Sequence, residues 1–304
     1  MTGPKRSRFN VASTIENGSL WMLGHASKVW PFVVIAVVLS LSWEAVRQIH
    51  PRDFAEAFHT LDVPWMVVAG LLTVVNVGAM GLYDVVAFSH TRSSWTDRWR
   101  YGAVCFAWSN FLTLGPLAGP AMRFWLYRPA VEQLSDLHGG VIAVAVAFSS
   151  GLAAWTATAL VSGWTGIGLW WLVPLAFVLC VVIVATAQTV IRWRNDEVAR
   201  ANWRQVIALA GIGWTDWVLA CAVFVVCIRA AGSGAPLASL AQSFFVGQVI
   251  GVLSLVPGGF GSSDAFWIAR LPLPESSAAA VLIAYRLIYY VLPWAVASLL
   301  LLSS

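Results

Sequence analysis

The sequence is poor in charged residues. Only 11% of its 304 residues are Asp, Glu, Lys or Arg, whereas 59% are hydrophobic, and the mean hydropathy is +0.77. A soluble domain carries about 25% charged residues, so this composition cannot build a water-facing surface of that size. The scarcity of charge excludes a soluble domain and a disordered chain. It predicts an all-α polytopic membrane protein.

Spacings typical of metal sites are also missing. The four cysteines lie inside apolar runs without a CxxC pattern, as thiols do when they pack as small hydrophobic side chains. The five histidines fall near the ends of the apolar runs and lack metal-ligand spacing. We therefore expect no metal, no cofactor and no catalytic site. The net charge of +4 does not indicate nucleic acid, because the basic residues form short clusters between apolar runs.

Long apolar runs dominate what is present. Eight of them approach the length of about 20 residues that a membrane span needs. They are 30–46, 64–89, 101–119, 139–162, 168–191, 205–228, 238–256 and 277–302. Residues 1–29 lack the features of a signal peptide and predict a cytoplasmic tail, followed by one helical transmembrane domain over 30–304. The amphipathic stretch 51–62 is too polar to cross and is expected to lie along the membrane surface.

The basic residues test how many runs cross. If all eight cross from a cytoplasmic N-terminus, eight Lys and Arg lie inside and nine outside, against the positive-inside bias. If 101–119 and 238–256 instead enter and turn back, thirteen lie inside and four outside, with Arg286 left within a span. The charges therefore favour about six full spans plus two re-entrant hairpins, with both termini in the cytoplasm.

Both of these runs end in residues that break helices, GPLAGP (115–120) and VPGGFGSSD (256–264). Broken backbone persists inside a bilayer only where protein or a watery cavity satisfies it, and a re-entrant hairpin lining a cavity meets that condition. The two hairpins would open to opposite sides, as in an inverted-topology repeat with a transport site near the midplane. The alternative is that each cluster only kinks a spanning helix.

Four ionisable side chains are expected within the membrane. Asp84, Asp216 and Arg286 stand inside apolar runs, and Asp264 follows the glycine-rich turn. An ionisable group at the bilayer centre costs about 2.5–3.5 kcal/mol, so its presence indicates function. Asn76 and Tyr83 would share a helix face with Asp84. The alternative is that the aspartates neutralise arginines in static pairs, and for Asp264 that it only caps a helix.

The broken segments also predict helix N-termini inside the protein. Pro120 suits the first turn of a short helix, with Arg123 one turn further on, and residues 262–264 suit an N-cap. Free amides at an N-terminus bind anions, and the guanidinium fork matches phosphate oxygens. We therefore expect a phosphate site that includes Arg123 and Arg286.

Four motifs follow one another along the chain. They are LTVVNVGAMGLYDVVAF (72–88), SNFLTLGPLAGPAMRFWLYRPAVEQLSD (109–136), SLVPGGFGSSDAF (254–266) and YRLIYYVLPWAVA (285–297). In this order they resemble the N-terminal membrane region of the multiple peptide resistance factor family, the bifunctional lysylphosphatidylglycerol synthases and flippases. The resemblance covers about 64–302 and implies a lipid-translocating membrane region.

The chain also departs from that family. Asp264 stands where the family has Glu, and Phe260 where it often has Leu. The soluble aminoacyl-transferase domain is absent from this sequence, so we do not expect the synthase activity. The predicted substrate site joins the matching motif residues to the intramembrane charges: Asn76, Tyr83, Asp84, Asn110, Arg123, Tyr127, Asp216, Gly258, Gly259, Gly261, Asp264, Tyr285, Arg286 and Tyr289.

The sequence thus predicts translocation of an aminoacylated phospholipid, such as lysyl-phosphatidylglycerol, between the leaflets of a bacterial cytoplasmic membrane. Arg123 and Arg286 would hold the phosphate, while Asp84 and Asp216 would meet the cationic aminoacyl group in a polar cavity. The alternatives, in this order, are a secondary transporter of a small anionic solute and the membrane part of an aminoacyl-phosphatidylglycerol synthase. Besides the phospholipid, a homo-oligomer and a synthase domain, separate or fused, stay open as partners.

Overall fold

The computed structural model describes residues 51–112, 115–131, 134–194, 202–254, 259 and 261–302. Within these ranges every regular element is a helix, which confirms the all-α class. The predicted tail (1–29), the first apolar run (30–46) and Gly258 lie outside the described residues.

The helices follow one another with short connections. In the described part of the chain the α-helices are α1 (Pro51–His59), α2 (Val63–Ala87), α3 (Trp95–Leu112), α4 (Gly115–Tyr127), α5 (Leu134–Thr165), α6 (Leu169–Arg194), α7 (Trp203–Ala230), α8 (Leu237–Leu253), α9 (Ser262–Arg270), α10 (Glu275–Arg286) and α11 (Leu292–Leu302). A 3₁₀ helix (Arg128–Ala130) follows α4, and a π-helical segment (Leu287–Val291) connects α10 to α11.

Five helical stretches are long and apolar enough to cross a membrane, counting the described residues alone. They are Val63–Ala87, Leu137–Thr165, Trp171–Val190, Trp203–Ala230 and Glu275–Leu299. A 25-residue helix is about 38 Å long, more than the roughly 30 Å of a hydrocarbon core. The five stretches coincide with five of the six runs predicted to cross, and the sixth is the run 30–46 outside the described ranges.

Helices α2 and α7 form the central pair. The amide of Asp62, just before α2, donates to the carbonyl of Ala230 at the end of α7 over 2.9 Å. Fourteen residues inward on each helix, Asn76 contacts Asp216. The two helices are therefore antiparallel, as the predicted topology requires of them.

A close helix crossing fixes α7 against α5. A Cβ on Gly151 would strike the carbonyl of Gly213, and a Cβ on Gly213 would strike the carbonyl of Ala147. Only glycine lets two backbones approach so closely, which is the usual role of small residues between membrane helices. This crossing lies one turn before Asp216 and holds that part of α7 in place.

Helices α3 and α4 form the first hairpin. Tyr127 at the end of α4 donates its hydroxyl to the carbonyl of Arg98 near the start of α3, at 3.4 Å. Just outside the hairpin, the amide of Arg92 donates to the carbonyl of Ala130 at 3.2 Å. The chain therefore enters and leaves this hairpin at one place, next to the end of α2.

Helices α8 and α9 form the second hairpin. The indole of Trp267 in α9 donates to the carbonyl of Ser243 in α8 at 2.9 Å. Nearer the turn, a Cβ on Gly251 would lie 3.4 Å from the Cα of Gly259. This hairpin begins after the end of α7, which lies beside the start of α2, so the two hairpins start at opposite ends of the central pair.

Each hairpin packs on a helix from the other half of the chain. Trp155 of α5 stacks on Phe245 of α8 with ring centroids 5.8 Å apart. In the same way, Trp294 of α11 stacks on Phe111 of α3 at 4.2 Å. Stacked aromatic rings therefore join helices from the first and the second half of the sequence. The amphipathic stretch 51–62 forms α1, which packs on α10.

Candidate functional site

An arginine of the first hairpin is paired with an aspartate of α2. Arg123 Nε donates to both carboxylate oxygens of Asp84, at 2.9 and 3.1 Å, and Arg123 Nη2 lies 2.8 Å from Asp84 Oδ1. The two side chains are 4% and 0% exposed. The guanidinium also lies over the ring of Phe106, 4.9 Å from its centroid. This ion pair ties the hairpin to a membrane-long helix inside the protein.

A second pair joins the second hairpin to the last long helix. Arg286 Nε and Nη2 donate to Asp264 Oδ1 at 3.0 and 2.7 Å. The other carboxylate oxygen of Asp264 accepts from the amide of Gly261 at 3.1 Å. The aspartate side chain is 19% exposed and the arginine 7%. The guanidinium carbon lies 5.6 Å from the centre of the Tyr290 ring, so this arginine too combines a carboxylate with an aromatic face.

The third aspartate has different neighbours. Asp216 in α7 is 1% exposed and accepts hydrogen bonds from the Asn76 amide at 2.8 Å and from the Tyr83 hydroxyl at 3.2 Å. Among the described residues it forms no ion pair with an arginine or lysine. Asn76 and Tyr83 belong to the same helix as Asp84, but they point to Asp216 while Asp84 points to Arg123.

The predicted pairing of aspartates with arginines is therefore present for two of the three aspartates. Asp84 and Asp264 each neutralise an arginine, whereas Asp216 is hydrogen-bonded to neutral groups only, as far as the described residues show. A neutralised carboxylate has less attraction for an incoming cation. Of the predicted cation-binding aspartates, Asp84 and Asp216, the second is the better placed.

Three tyrosines lie in the π-helical segment or just before it. Tyr285 stacks on Tyr289 with centroids 5.4 Å apart, and Tyr289 packs edge-on against Tyr290 at 5.1 Å. A π-helical turn within a membrane helix is often found at functional sites, and this one follows Arg286 directly.

Two of the predicted residues lie along the first hairpin, beside the pairs. The Asn110 amide is 3.9 Å from the sulfur of Met80. Tyr127 is fully buried and stacks on Phe88 with centroids 4.2 Å apart. Both side chains help to seat the hairpin on α2.

The prediction for the start of α9 needs a correction. Its N-cap is Gly261, with φ of 80°, whereas Ser262, Ser263 and Asp264 form the first turn. Asp264 thus caps from the third helical position by accepting from the Gly261 amide. Gly259 has a φ of 59°. Only glycine adopts such angles without strain, which explains the spacing of the glycine-rich turn.

The prediction for α4 is wrong. The helix begins at Gly115, so Pro120 lies in its interior and Arg123 is eight residues from its start. Gly115 and Pro116 already supply the start signal that we assigned to Pro120. Eight residues are about 12 Å along a helix axis. The N-terminus of α4 and the Arg123 side chain are therefore not the single phosphate site that the sequence predicted.

Sequence reasoning missed one contact of each arginine. Phe106 lies under Arg123, and Ser263 lies 3.4 Å from Nη2 of Arg286 with its hydroxyl. No sequence signal distinguishes Phe106 from other apolar residues, because only its position opposite α4 gives it a role. Within the described ranges, no group of three or more His, Cys, Asp or Glu side chains could hold a metal ion.

Comparisons with known proteins agree with the resemblance. No protein-family model matches the chain. It is 26% identical over 292 residues to phosphatidylglycerol lysyltransferase from Bacillus subtilis (strain 168), covering 86% of this chain and 32% of that protein. It is 26% identical to protein slr0712 from Synechocystis and 23% identical to inner membrane protein YbhN from Escherichia coli (strain K12), with 90% of both partners covered in each case.

The predicted resemblance is confirmed by these relatives. The chain spans about a third of the length of the lysyltransferases that it matches and nine tenths of the other two proteins. The matching third is consistent with the membrane region of that family. The chain is thus a membrane protein whose described regular elements are all helices, and it is similar to the lysyltransferase family.

Proposed function

We propose that this protein moves an anionic or aminoacylated phospholipid, such as lysyl-phosphatidylglycerol, between the leaflets of a bacterial inner membrane. The observation that carries the proposal is the burial of two arginine–aspartate pairs, one at each hairpin, inside a bundle of membrane-long helices. Charged groups are expensive in such surroundings and are retained where they serve an ion or substrate path.

The arginines suit the phosphate of a lipid headgroup. A guanidinium presents donors in a fork that fits a carboxylate and a phosphate equally well. Arg286 now donates to Asp264, and a phosphodiester that enters beside the partly exposed carboxylate could take over these donors. The same exchange at Arg123 requires the hairpin to move, because Asp84 is fully buried.

The arrangement of the hairpins supports a transporter. They start at opposite ends of the antiparallel α2–α7 pair, and each packs on a helix from the other half of the chain. Two oppositely directed, interrupted hairpins are typical of inverted repeats, in which one half moves against the other. In our proposal both hairpins re-enter the membrane, and the lipid headgroup passes between them while its acyl chains stay in the bilayer.

The relatives supply the choice of lipid. Two of them are named for the transfer of lysine to phosphatidylglycerol, and another is named an inner membrane protein. An aminoacylated phosphatidylglycerol carries both a phosphate for an arginine and an ammonium group for an aspartate. Of the aspartates Asp84, Asp216 and Asp264, Asp216 is the one that has no arginine or lysine partner among the described residues.

Purified protein in liposomes that contain labelled lysyl-phosphatidylglycerol tests this function. We expect wild type to expose the inner-leaflet lipid to a membrane-impermeant amine reagent. Arg286→Gln should slow exposure at least about tenfold, since a charge-assisted hydrogen bond contributes about 1.5–3 kcal/mol. Arg270→Gln, at an exposed arginine at the end of α9, is the matched control and should keep the wild-type rate.

Two results would contradict the proposal. One is an Arg286→Gln variant that folds like wild type and moves lipid at the wild-type rate. The other is uptake of a small anionic solute into the liposomes with no lipid exposure, which would select the secondary transporter instead.

A further inference from the structure

The buried carboxylate of Asp216 is the feature that lipid binding through the arginines leaves unexplained. It is 1% exposed in a membrane-long helix. Its hydrogen-bond donors are an amide and a phenol, both of them neutral. An ionised carboxylate in such surroundings is costly unless a positive partner accompanies it.

The neighbours of Asp216 nevertheless form a receptor for a positive partner. Asn76 donates through Nδ2 both to the carboxylate and to the backbone carbonyl of Asp216, at 2.8 and 3.0 Å. The Oδ1 atom of the same amide is buried and has no hydrogen-bond partner within the described ranges, and the residue is 0% exposed. A carboxylate and a buried amide oxygen without a donor therefore lie side by side, and both attract a proton or an ammonium group.

Other charged and titratable groups near the site do not supply this partner. Arg123 is the cation on the adjoining hairpin and is bound by Asp84. Of the titratable side chains on the surrounding elements, Tyr83 of α2 donates to the carboxylate, Asp84 on the same helix is turned toward Arg123, and Tyr285 of α10 packs on Phe224, further along α7. Cys180 on α6 and Tyr289 on the π-helical segment are buried and neutral. Helices α5 and α8 contribute aromatic rings that pack on the neighbouring tryptophans of α7. Apart from Arg123, which is already paired with Asp84, none of the groups named here carries a positive charge.

We infer that Asp216, with Asn76 and Tyr83, is an exchange site that holds either a proton or the ammonium group of the lipid, so that the protein exchanges one for the other across the membrane. This inference rests on the proposed lipid translocation and names its coupling ion. A carboxyl group that is protonated when the site is empty meets the ammonium group, forms an ammonium–carboxylate pair and releases its proton to the water on that side.

The reverse exchange completes the cycle. When the site opens to the other side, a proton from that water binds to the carboxylate and the ammonium group leaves with its lipid. Atoms and charges balance in both steps, since one proton replaces one ammonium group. The empty, charged carboxylate is avoided throughout, because it has no countercharge in the low-dielectric interior.

Proton release on binding is the direct test. Detergent-solubilised full-length protein is mixed with lysyl-phosphatidylglycerol in weak buffer at about pH 5.5, where both lysyl amines stay protonated. We expect close to one proton released per lipid bound, and none with plain phosphatidylglycerol. Asp216→Asn should bind lipid without release, whereas Asp216→Glu should restore it. Asp62→Asn, at an exposed aspartate before α2, should behave as wild type.

A pH gradient across proteoliposomes is the second test. The labelled lipid should accumulate in the leaflet that faces the acidic side, by up to about tenfold per pH unit for one-to-one exchange of monovalent cations. Asp216→Asn should abolish this response, and protein-free liposomes correct for passive movement.

The outcomes separate the two proposals. Lipid binding without proton release, or wild-type lipid movement that ignores the gradient, overturns the exchange site and leaves translocation standing. No lipid movement in wild type under any gradient overturns both.

Discussion

The two arginine–aspartate pairs differ in which partner belongs to a hairpin. In the first pair the hairpin supplies the arginine, and the aspartate stands on the membrane-long helix α2. In the second pair the hairpin supplies the aspartate, and the arginine stands on α10 just before the π-helical segment. Each hairpin thus takes part in one ion pair, but the hairpin contributes the positive charge in the first pair and the negative charge in the second.

The pairs also differ in their surroundings. Asp84 is 0% exposed and has no access to solvent, whereas Asp264 is 19% exposed and caps a helix as well. A buried pair gains little over an apolar contact, but removing one partner leaves a charge without compensation. The first pair is therefore sealed inside the protein, while the second, which is partly exposed, is the one that our proposal assigns to the headgroup.

Removal of each arginine gives the largest contrast between the pairs. Arg123→Gln leaves Asp84 buried without a cation and should lower the free energy of unfolding by about 3–5 kcal/mol. Arg286→Gln leaves a partly exposed carboxylate that keeps its amide partner, and should cost about 1–2 kcal/mol. Unfolding in mixed detergent micelles measures both values.

A double variant serves as the control for this contrast. Asp84→Asn in the Arg123→Gln background should recover part of the loss, because it removes the uncompensated charge. Equal losses of unfolding free energy in Arg123→Gln and Arg286→Gln would contradict the distinction between the buried first pair and the partly exposed second pair.

Two glycine substitutions compare a contact of each hairpin, that of α3 with α2 at Gly102 and that of α8 with the following turn at Gly251. A Cβ on Gly102 of α3 would lie 2.7 Å from the carbonyl oxygen of Gly81 and 2.9 Å from Cβ of Asp84. Gly102→Ala should therefore cost about 1–3 kcal/mol in the free energy of unfolding, as overpacked sites do. A Cβ on Gly251 of α8 has its nearest neighbour at 3.4 Å, so Gly251→Ala should cost less than about 1 kcal/mol. If Gly251→Ala is the more damaging change, the contact between α2 and α3 at Gly102 is not the tighter of these two contacts.

The sequence was sufficient to predict where the membrane-long helices lie, but not which side chains contact one another between helices. Apolar length located the five membrane-long helices, because hydrocarbon thickness sets the length of a span. The glycine-rich cluster 256–264 located the break between α8 and α9, because such residues interrupt helices locally, whereas the cluster 115–120 lies within α4. The pairing of Asp84 with Arg123 depends instead on how α4 folds back on α2, and no local pattern encodes that contact.

The errors of the sequence prediction were also local. Pro120 looked like the start of a helix, but Gly115 and Pro116 start α4 earlier, and the missing amide of Pro120 is tolerated within it. The same limit applies to Asp216. The sequence marked it as a charge in an apolar run, whereas its neutral partners on α2 become visible only once α2 and α7 are packed together.

The smallest effect should separate the two roles of Asp264. Asp264→Asn loses the ion pair but keeps an oxygen that can accept from the Gly261 amide, so it should cost about 1 kcal/mol in unfolding free energy. Asp264→Ala loses the cap as well and should cost about 1 kcal/mol more. Since Asp84 caps no helix, the corresponding Asn and Ala variants at position 84 should differ by less. Equal losses for Asp264→Asn and Asp264→Ala would mean that the amide contact contributes nothing, and the second hairpin would then depend on its ion pair alone.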